Sequence, residues 1–245
     1  GLDSRGQIAW LLHGGGLDLI NSVYADFGVI GFPAACTGTQ MGGWFREEIG
    51  SLSDLAGLRM RIPGIGGEIM ARMGVTVQLL APAEIYPALE RGAIDATEWV
   101  GPHDDEILGL HQIAKNYYYP GWWEPGSTST LMVNRAAYDE LPHEYQELLG
   151  TVTRESVIYS MAEYDAANPA ALQRLLGEEG VTLHEFSLDI MEAAWTESEA
   201  YVAEQAAANA QFDGIYQSWK AFRQSSFRWF DANESAYARF AFPRV

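Results

Sequence analysis

Four side chains between Gly57 and Glu124 have the chemistry to hold a small anion: Arg61, Glu98, Trp99 and Glu124. A guanidinium is a rigid fork of donors that matches a carboxylate or phosphate. Aromatic rings with a carboxylate among them, as in Tyr117-Tyr-Tyr-Pro-Gly-Trp-Trp-Glu124, make good walls for a small pocket. Two glutamates brought close together repel unless something neutralises them. The same pair could also serve as acid and base in a glycosidase. On the residues alone, binding and hydrolysis both stay open.

The elements that must position these groups are short. Gly57 to Gly64 alternates Leu58, Met60 and Ile62 with Arg59 and Arg61, which predicts a strand of period two stopped by Pro63. Gly64, Gly66 and Gly67 predict a tight loop, and Glu68 to Met73 a short helix. A strand that delivers Arg61 beside a helix N-terminus makes an anion site. The G-x-G-x-x-G pattern fails at Ile69, so a dinucleotide is not expected. Val75 to Leu80 reads as a second strand, Pro82 opens a helix through Glu90, and Ile94 to Thr97 is a third strand. Arg61 and Glu98 then fall at equivalent strand ends, where open α/β sheets bind ligands. Pro102 opens another helix; in His103-Asp-Asp-Glu106 the acids read as a solvated helix start.

Composition narrows the partners. The 245 residues carry 15 Lys plus Arg against 33 Asp plus Glu, a net charge of −18. That argues against nucleic acid or an anionic membrane as the main partner. No run approaches a membrane span. The single cysteine, Cys36, excludes an internal disulfide and reads as a small buried hydrophobe. Five scattered histidines without H-E-x-x-H argue against a histidine zinc site, and no G-x-S-x-G elbow is present.

Outside that stretch, Leu17 to Phe27 predicts a helix and Val29 to Phe32 a strand stopped by Pro33. Thr37 to Phe45 reads as a glycine-rich crossing that contains Gln40, and Ser51 caps a short helix. Ser127 to Asn134 predicts a strand. A long helix follows to Asp165, and Asn168-Pro169 opens a separate one ending near Gly180. Val181 to Phe186 predicts a strand, and two long helices follow, Leu188 to Asn209 and Gln211 to about Phe240. The second carries an aromatic stripe through Phe212, Tyr216, Trp219, Phe222, Phe230, Tyr237 and Phe240, which reads as packing on its own domain or as a dimer surface.

Several longer motifs carry a resemblance. Gln40-Met-Gly-Gly-Trp-Phe45, Met60-Arg-Ile-Pro-Gly64, Asp95-Ala-Thr-Glu-Trp-Val-Gly-Pro102 with Asp104-Asp-Glu106, and Tyr119-Pro-Gly-Trp-Trp-Glu124 resemble the substrate-binding subunits of TRAP (tripartite ATP-independent periplasmic) transporters. The similarity runs through essentially the whole chain and is closest to the branch that binds α-keto or 2-hydroxy acids with a metal ion. It implies an α/β, two-lobed, type II-like periplasmic binding protein with long C-terminal helices, and not an enzyme. Lobe I would comprise 1–37 and 127–205, lobe II 38–126, and 206–245 a bracing or dimerisation helix. The resemblance also implies that the N-terminal part of lobe I is missing. Lobe I would then keep an open sheet edge built from Val29–Phe32, Ser127–Asn134 and Val181–Phe186, and bind ligand weakly. Lobe II would draw all its strands from 57–124.

The implied site assigns Arg61, Gln40 and Trp99 to a pyruvate- or lactate-like ligand. Gln40, Glu98, Glu124 and the backbone carbonyl of Trp99 would hold a hard cation, sodium or calcium. The implied partners are that small acid, the TRAP membrane subunits and a second copy in a homodimer, all in the periplasm.

Overall fold

The structure, a computed structural model, describes residues 1–244. Its first half alternates short elements: α1 (Ser4–His13), α2 (Gly16–Ala25), β1 (Val29–Gly38), β2 (Gly43–Phe45), β3 (Arg59–Arg61), α3 (Gly64–Arg72), β4 (Thr76–Gln78), α4 (Pro82–Glu90), β5 (Ala96–Thr97), α5 (Pro102–Leu108) and β6 (Asn116–Tyr119). The second half is mainly helical: β7 (Ser127–Asn134), α6 (Arg135–Asp139), α7 (His143–Gly177), β8 (Thr182–Glu185), α8 (Leu188–Ala208), α9 (Ala210–Phe230) and α10 (Ala236–Ala241). Among the described residues no helix is long and apolar enough to cross a membrane.

A six-stranded sheet has the order β4-β3-β5-β2-β6-β8. β4 and β5 flank β3 in parallel, as a β-α-β-α-β run dictates. β2 joins antiparallel to both β5 and β6. Helices cover both faces. Ile69 and Met70 of α3 and Ile190 and Ala194 of α8 pack with Met60, Ile62 and Phe45. Ile85 and Leu89 of α4 and Leu175 of α7 pack with Trp44, Ile94 and Tyr117.

β1 and β7 form a separate two-stranded antiparallel sheet, from Val29 opposite Asn134 to Gly38 opposite Ser127. No further strand pairs with either outer edge of this sheet among the described residues, and Leu131 and Met132 are exposed on it.

Several sequence expectations are corrected. β8 does not join β1 and β7; it pairs in parallel with β6. The sheet that carries Arg61 therefore draws strands from outside 57–124, namely β2 and β8. Residues 182–208 pack with that sheet, through Phe186, Ile190 and Ala194. β1 runs on past Pro33, with a register shift between Pro33 and Ala35 that absorbs the missing N–H. The Asn116–Tyr119 segment, whose tyrosines read as pocket wall in the sequence, is an interior strand, and Tyr117 and Tyr118 are fully buried. The glycines expected as a loop are the first turn of α3, which Gly64 opens with a φ of 64°.

Asn168-Pro169 does not start a new helix. α7 is continuous over 35 residues with Pro169 inside it. Asn168 is occupied elsewhere: its Oδ1 accepts from the His103 N–H at 3.1 Å, capping α5 from a different helix. Nearby, the Tyr164 hydroxyl donates to Asp104 at 2.8 Å and Arg174 forks onto Glu106 at 2.9 and 2.6 Å. The earlier part of α7 lies on the smaller sheet, where Ser160 Oγ accepts from Cys36 N–H at 2.9 Å. One helix thus holds both sheets. Asn168→Ala is expected to lower stability by about 1 kcal/mol, the usual worth of a cap. Urea denaturation reads this, and an unchanged midpoint would mean that water serves α5 equally well.

Candidate functional site

Arg61 ends β3 and Glu98 follows the last residue of β5, and these two strands are neighbours. The pairing brings the two side chains into an ion pair. Arg61 Nη1 also donates to the Glu98 backbone carbonyl at 3.2 Å. The guanidinium lies over the Trp99 ring, 5.4 Å from its centroid. Both members of the pair are buried, Arg61 being 9% and Glu98 4% exposed. Arg61 Nε is buried with no hydrogen-bond partner among the described residues. By contrast, Arg59, two residues earlier in β3, pairs with Asp95 in a partly exposed setting.

Glu124 and Gln40 come from two crossing segments laid side by side. The Gln40 N–H faces the Glu124 carbonyl at 3.4 Å, and the Gly121 N–H donates to the Gln40 carbonyl at 3.2 Å. A Cβ on Gly121 would sit 2.6 Å from that carbonyl, so this crossing requires glycine. Gln40 Nε2 donates to Thr37 Oγ1 at 3.2 Å, leaving Gln40 Oε1 buried and without a donor among the described residues.

Glu98 and Glu124 line one cavity of ≈ 290 Å³, with Ile62, Pro63, Gly64, Ile65, Gly66 and Trp123 as the other walls; Arg61, Gln40 and Trp99 are not in its lining. That is near the lower end of ligand pockets, about 300–1,000 Å³. Burial pushes the Glu98 carboxyl up to about 8; Arg61 opposes the rise, and the charge of Glu124 adds to it. Burial likewise raises Glu124 against the opposing pull of Arg61 and Gln40. The single guanidinium of Arg61 therefore does not offset the burial of the two carboxyls. A cation fits that deficit. Among the described residues no cluster of three or more Asp, Glu, His or Cys side chains is arranged to hold a metal. A cation here would need neutral oxygens as well, and Gln40 Oε1 is one. The Trp99 carbonyl is another, since no hydrogen bond reaches it among the described residues.

A larger cavity of ≈ 450 Å³ opens between α3, α8 and α9. It shares Ile65, Gly66 and Trp123 with the smaller one but contains none of Arg61, Glu98 or Glu124.

Two residues escaped the sequence reading. Trp123 walls the site, although in sequence it is one of several aromatics in a row. Asp105, expected at a solvated helix start, is 1% exposed. Its Oδ2 accepts from Trp44 Nε1 at 2.9 Å and from the Tyr117 hydroxyl at 2.7 Å, and its Oδ1 from Val100 N–H at 3.1 Å. Burial raises its carboxyl to about 6 against those three donors. Its partners lie far away in sequence, so no local pattern exposes it.

The two-sheet α/β fold and the buried carboxylate–arginine cluster describe a solute-binding protein. Residues 1–209 match the bacterial extracellular solute-binding protein family 7 (DctP), and the chain belongs to that family. It is 54% identical over 241 residues to the monocarboxylate 2-oxoacid-binding periplasmic protein of Nostoc sp., covering 98% of this chain and 66% of that protein. Among solved structures it is similar to a TRAP periplasmic solute-binding protein from Pseudoalteromonas atlantica with bound sodium and pyruvate. That match is 37% identical with a TM-score of 0.93, over 98% of this chain and 73% of that one. A similar protein from Colwellia psychrerythraea, with bound calcium and pyruvate, is 36% identical with a TM-score of 0.94, over 98% and 73% respectively.

Proposed function

We propose that this protein captures a small 2-oxo or 2-hydroxy monocarboxylate, pyruvate- or lactate-like, in the periplasm through a bound sodium or calcium ion. It then hands that acid to the membrane subunits of a TRAP transporter. The observation that carries the reading is the buried Arg61–Glu98 pair, with the exposed Glu124 beside Glu98 in one cavity and two orphaned polar atoms, Arg61 Nε and Gln40 Oε1. Buried polar atoms without partners are unusual and are explained when a ligand completes them. Arg61 pairs with the ligand carboxylate through the donors that Glu98 leaves free, with Trp99 packed beneath it. Glu98, Glu124, Gln40 Oε1 and the Trp99 carbonyl form an all-oxygen set that suits a hard cation. The cation polarises and anchors the 2-oxo or 2-hydroxy oxygen. No bond in the ligand is made or broken.

The lobe division supports capture by closure. Residues 38–126 form one lobe, to which 182–208 are packed. Residues 1–37 and the segment from 127 form the other, with α7 common to both. Titration calorimetry with pyruvate and lactate, with and without sodium or calcium, tests the function. Turnover of glycosides in place of saturable binding would favour the carboxylate-pair hydrolase.

A homodimer rests on the end of the chain. The first part of the aromatic stripe is internal: Ile215, Trp219 and Phe222 pack on Leu2, Trp10 and Leu11 of the first helix and its approach. Beyond it, Trp229, Tyr237, Phe240 and Phe242 are exposed. Such a patch suits a second copy. Deleting 231–245 is expected to convert dimer to monomer while leaving the core of α9 intact. Light scattering showing the intact chain already monomeric would remove the interface.

A further inference from the structure

We infer that Asp105 is a positioning residue for the cation-and-acid site, clamping the residue at which two of the three oxygen-supplying segments meet. The inference rests on the function proposed above. The first of those segments supplies Gln40, and the second supplies Glu98 and Trp99. They are tied at Val100. Its carbonyl accepts from the Met41 N–H at 3.0 Å, beside Gln40. Its N–H donates to Asp105 Oδ1 at 3.1 Å, beside Trp99. Val100 belongs to no strand or helix, so no regular ladder holds this peptide. The orientation of the Trp99 carbonyl, one bond earlier, follows from the plane in which Val100 N–H is fixed.

Asp105 can act as an anchor because its other oxygen is held rigidly. Oδ2 takes two donors from neighbouring strands, Trp44 of β2 and Tyr117 of β6. These residues are register partners whose rings stack, with centroids 3.9 Å apart and an interplanar angle of 13°. Both rings are fully buried. The carboxylate thus transfers the rigidity of the sheet to an irregular segment that has none of its own. A carboxylate is required, because all three partners are donors. Asparagine would offer one acceptor oxygen and turn an N–H₂ group against a donor.

The test reads the clamp and the site separately. In the unaltered protein the Val100 amide should be protected from hydrogen exchange by NMR, although it lies in a loop. Asp105→Asn should speed its exchange by about tenfold or more, the loss of one charge-assisted bond. The same variant should weaken pyruvate binding in the presence of calcium by about tenfold or more. Leu89→Ala opens a cavity in the same core as Trp44 and Tyr117 and leaves every hydrogen bond of Asp105 in place. It should lower the melting temperature as a core lesion does, with pyruvate affinity changed by no more than about twofold. A freely exchanging Val100 amide in the unaltered protein overturns the inference, whether or not either variant folds. So does an Asp105→Asn protein with unchanged exchange or affinity, or a Leu89→Ala protein that loses as much affinity. If the unaltered protein binds no 2-oxo acid, the proposed function fails on its own, and the exchange data alone decide the clamp.

Discussion

Arg61→Ala is expected to abolish detectable binding of a 2-oxo acid. The guanidinium has one Nη1 on the Glu98 backbone carbonyl and is ion-paired with the Glu98 carboxylate, while Nε is buried without a partner. Truncation removes the counter-charge of the ligand and also leaves the Glu98 carboxyl buried alone. Breaking one side of a buried, hydrogen-bonded charge pair costs about 2–5 kcal/mol, which is about 30- to 4,000-fold in affinity. Arg61→Lys restores the charge but not the planar fork, so it should recover only part of the loss. Arg59→Ala is the control: its partner is Asp95, which is not in the cavity lining, and affinity should not move. Calorimetry with pyruvate checks all three. Equal losses in the Arg59 and Arg61 variants would mean that the wrong arginine has been assigned.

The second large effect is that of the cation. In a sample freed of calcium by chelation and exchanged into sodium-free buffer, pyruvate affinity is expected to fall by about 5- to 150-fold, the usual strength of coupling between two bound species. The coupling is reciprocal, so pyruvate should tighten calcium binding by the same factor. The cause lies in the two glutamates. Burial drives both carboxyls up, Glu98 to about 8, and the one nearby guanidinium does not reverse either shift. Raised carboxyls hold a proton that a cation must displace, and the cation then supplies the positive charge that draws in the anionic ligand. Glu124→Gln keeps an oxygen donor but removes a charge, and should weaken calcium more than it weakens the fold. Unchanged pyruvate affinity in a demonstrably metal-free sample would end the cation proposal.

Much of the site was legible in the sequence because its parts sit at element ends that local pattern reveals. The alternation Leu58, Met60, Ile62 and the stop at Pro63 place Arg61 at a strand end, and Glu98 stands just past the next parallel strand. The β-α-β rule then makes those strands neighbours, and the Arg61–Glu98 ion pair follows from that adjacency. Gln40 and the Trp99 carbonyl stood out only through the longer motifs, since a loop glutamine and a backbone oxygen have no signature of their own.

What the tertiary structure decided was every choice between a local preference and a distant partner. Asn168-Pro169 reads locally as a helix start, yet Asn168 caps α5 and α7 continues through the proline, because packing on both sheets outweighs one missing bond. Tyr117 and Tyr118 read as pocket-wall aromatics, yet pairing with β2 and β8 buries them in the middle of a sheet. β8 joined the large sheet rather than the small one, since strand adjacency depends on which edge α7 returns the chain to, and no residue of β8 encodes that. Asp105 is the sharpest case. Its acidity and place in a helix's first turn suit water, and only the convergence of Trp44, Val100 and Tyr117 makes it a buried anchor. The sequence by itself determined which groups have the chemistry for an acid and a cation; the crossing of distant segments determined that Arg61 meets Glu98 and that Asp105 meets its three donors.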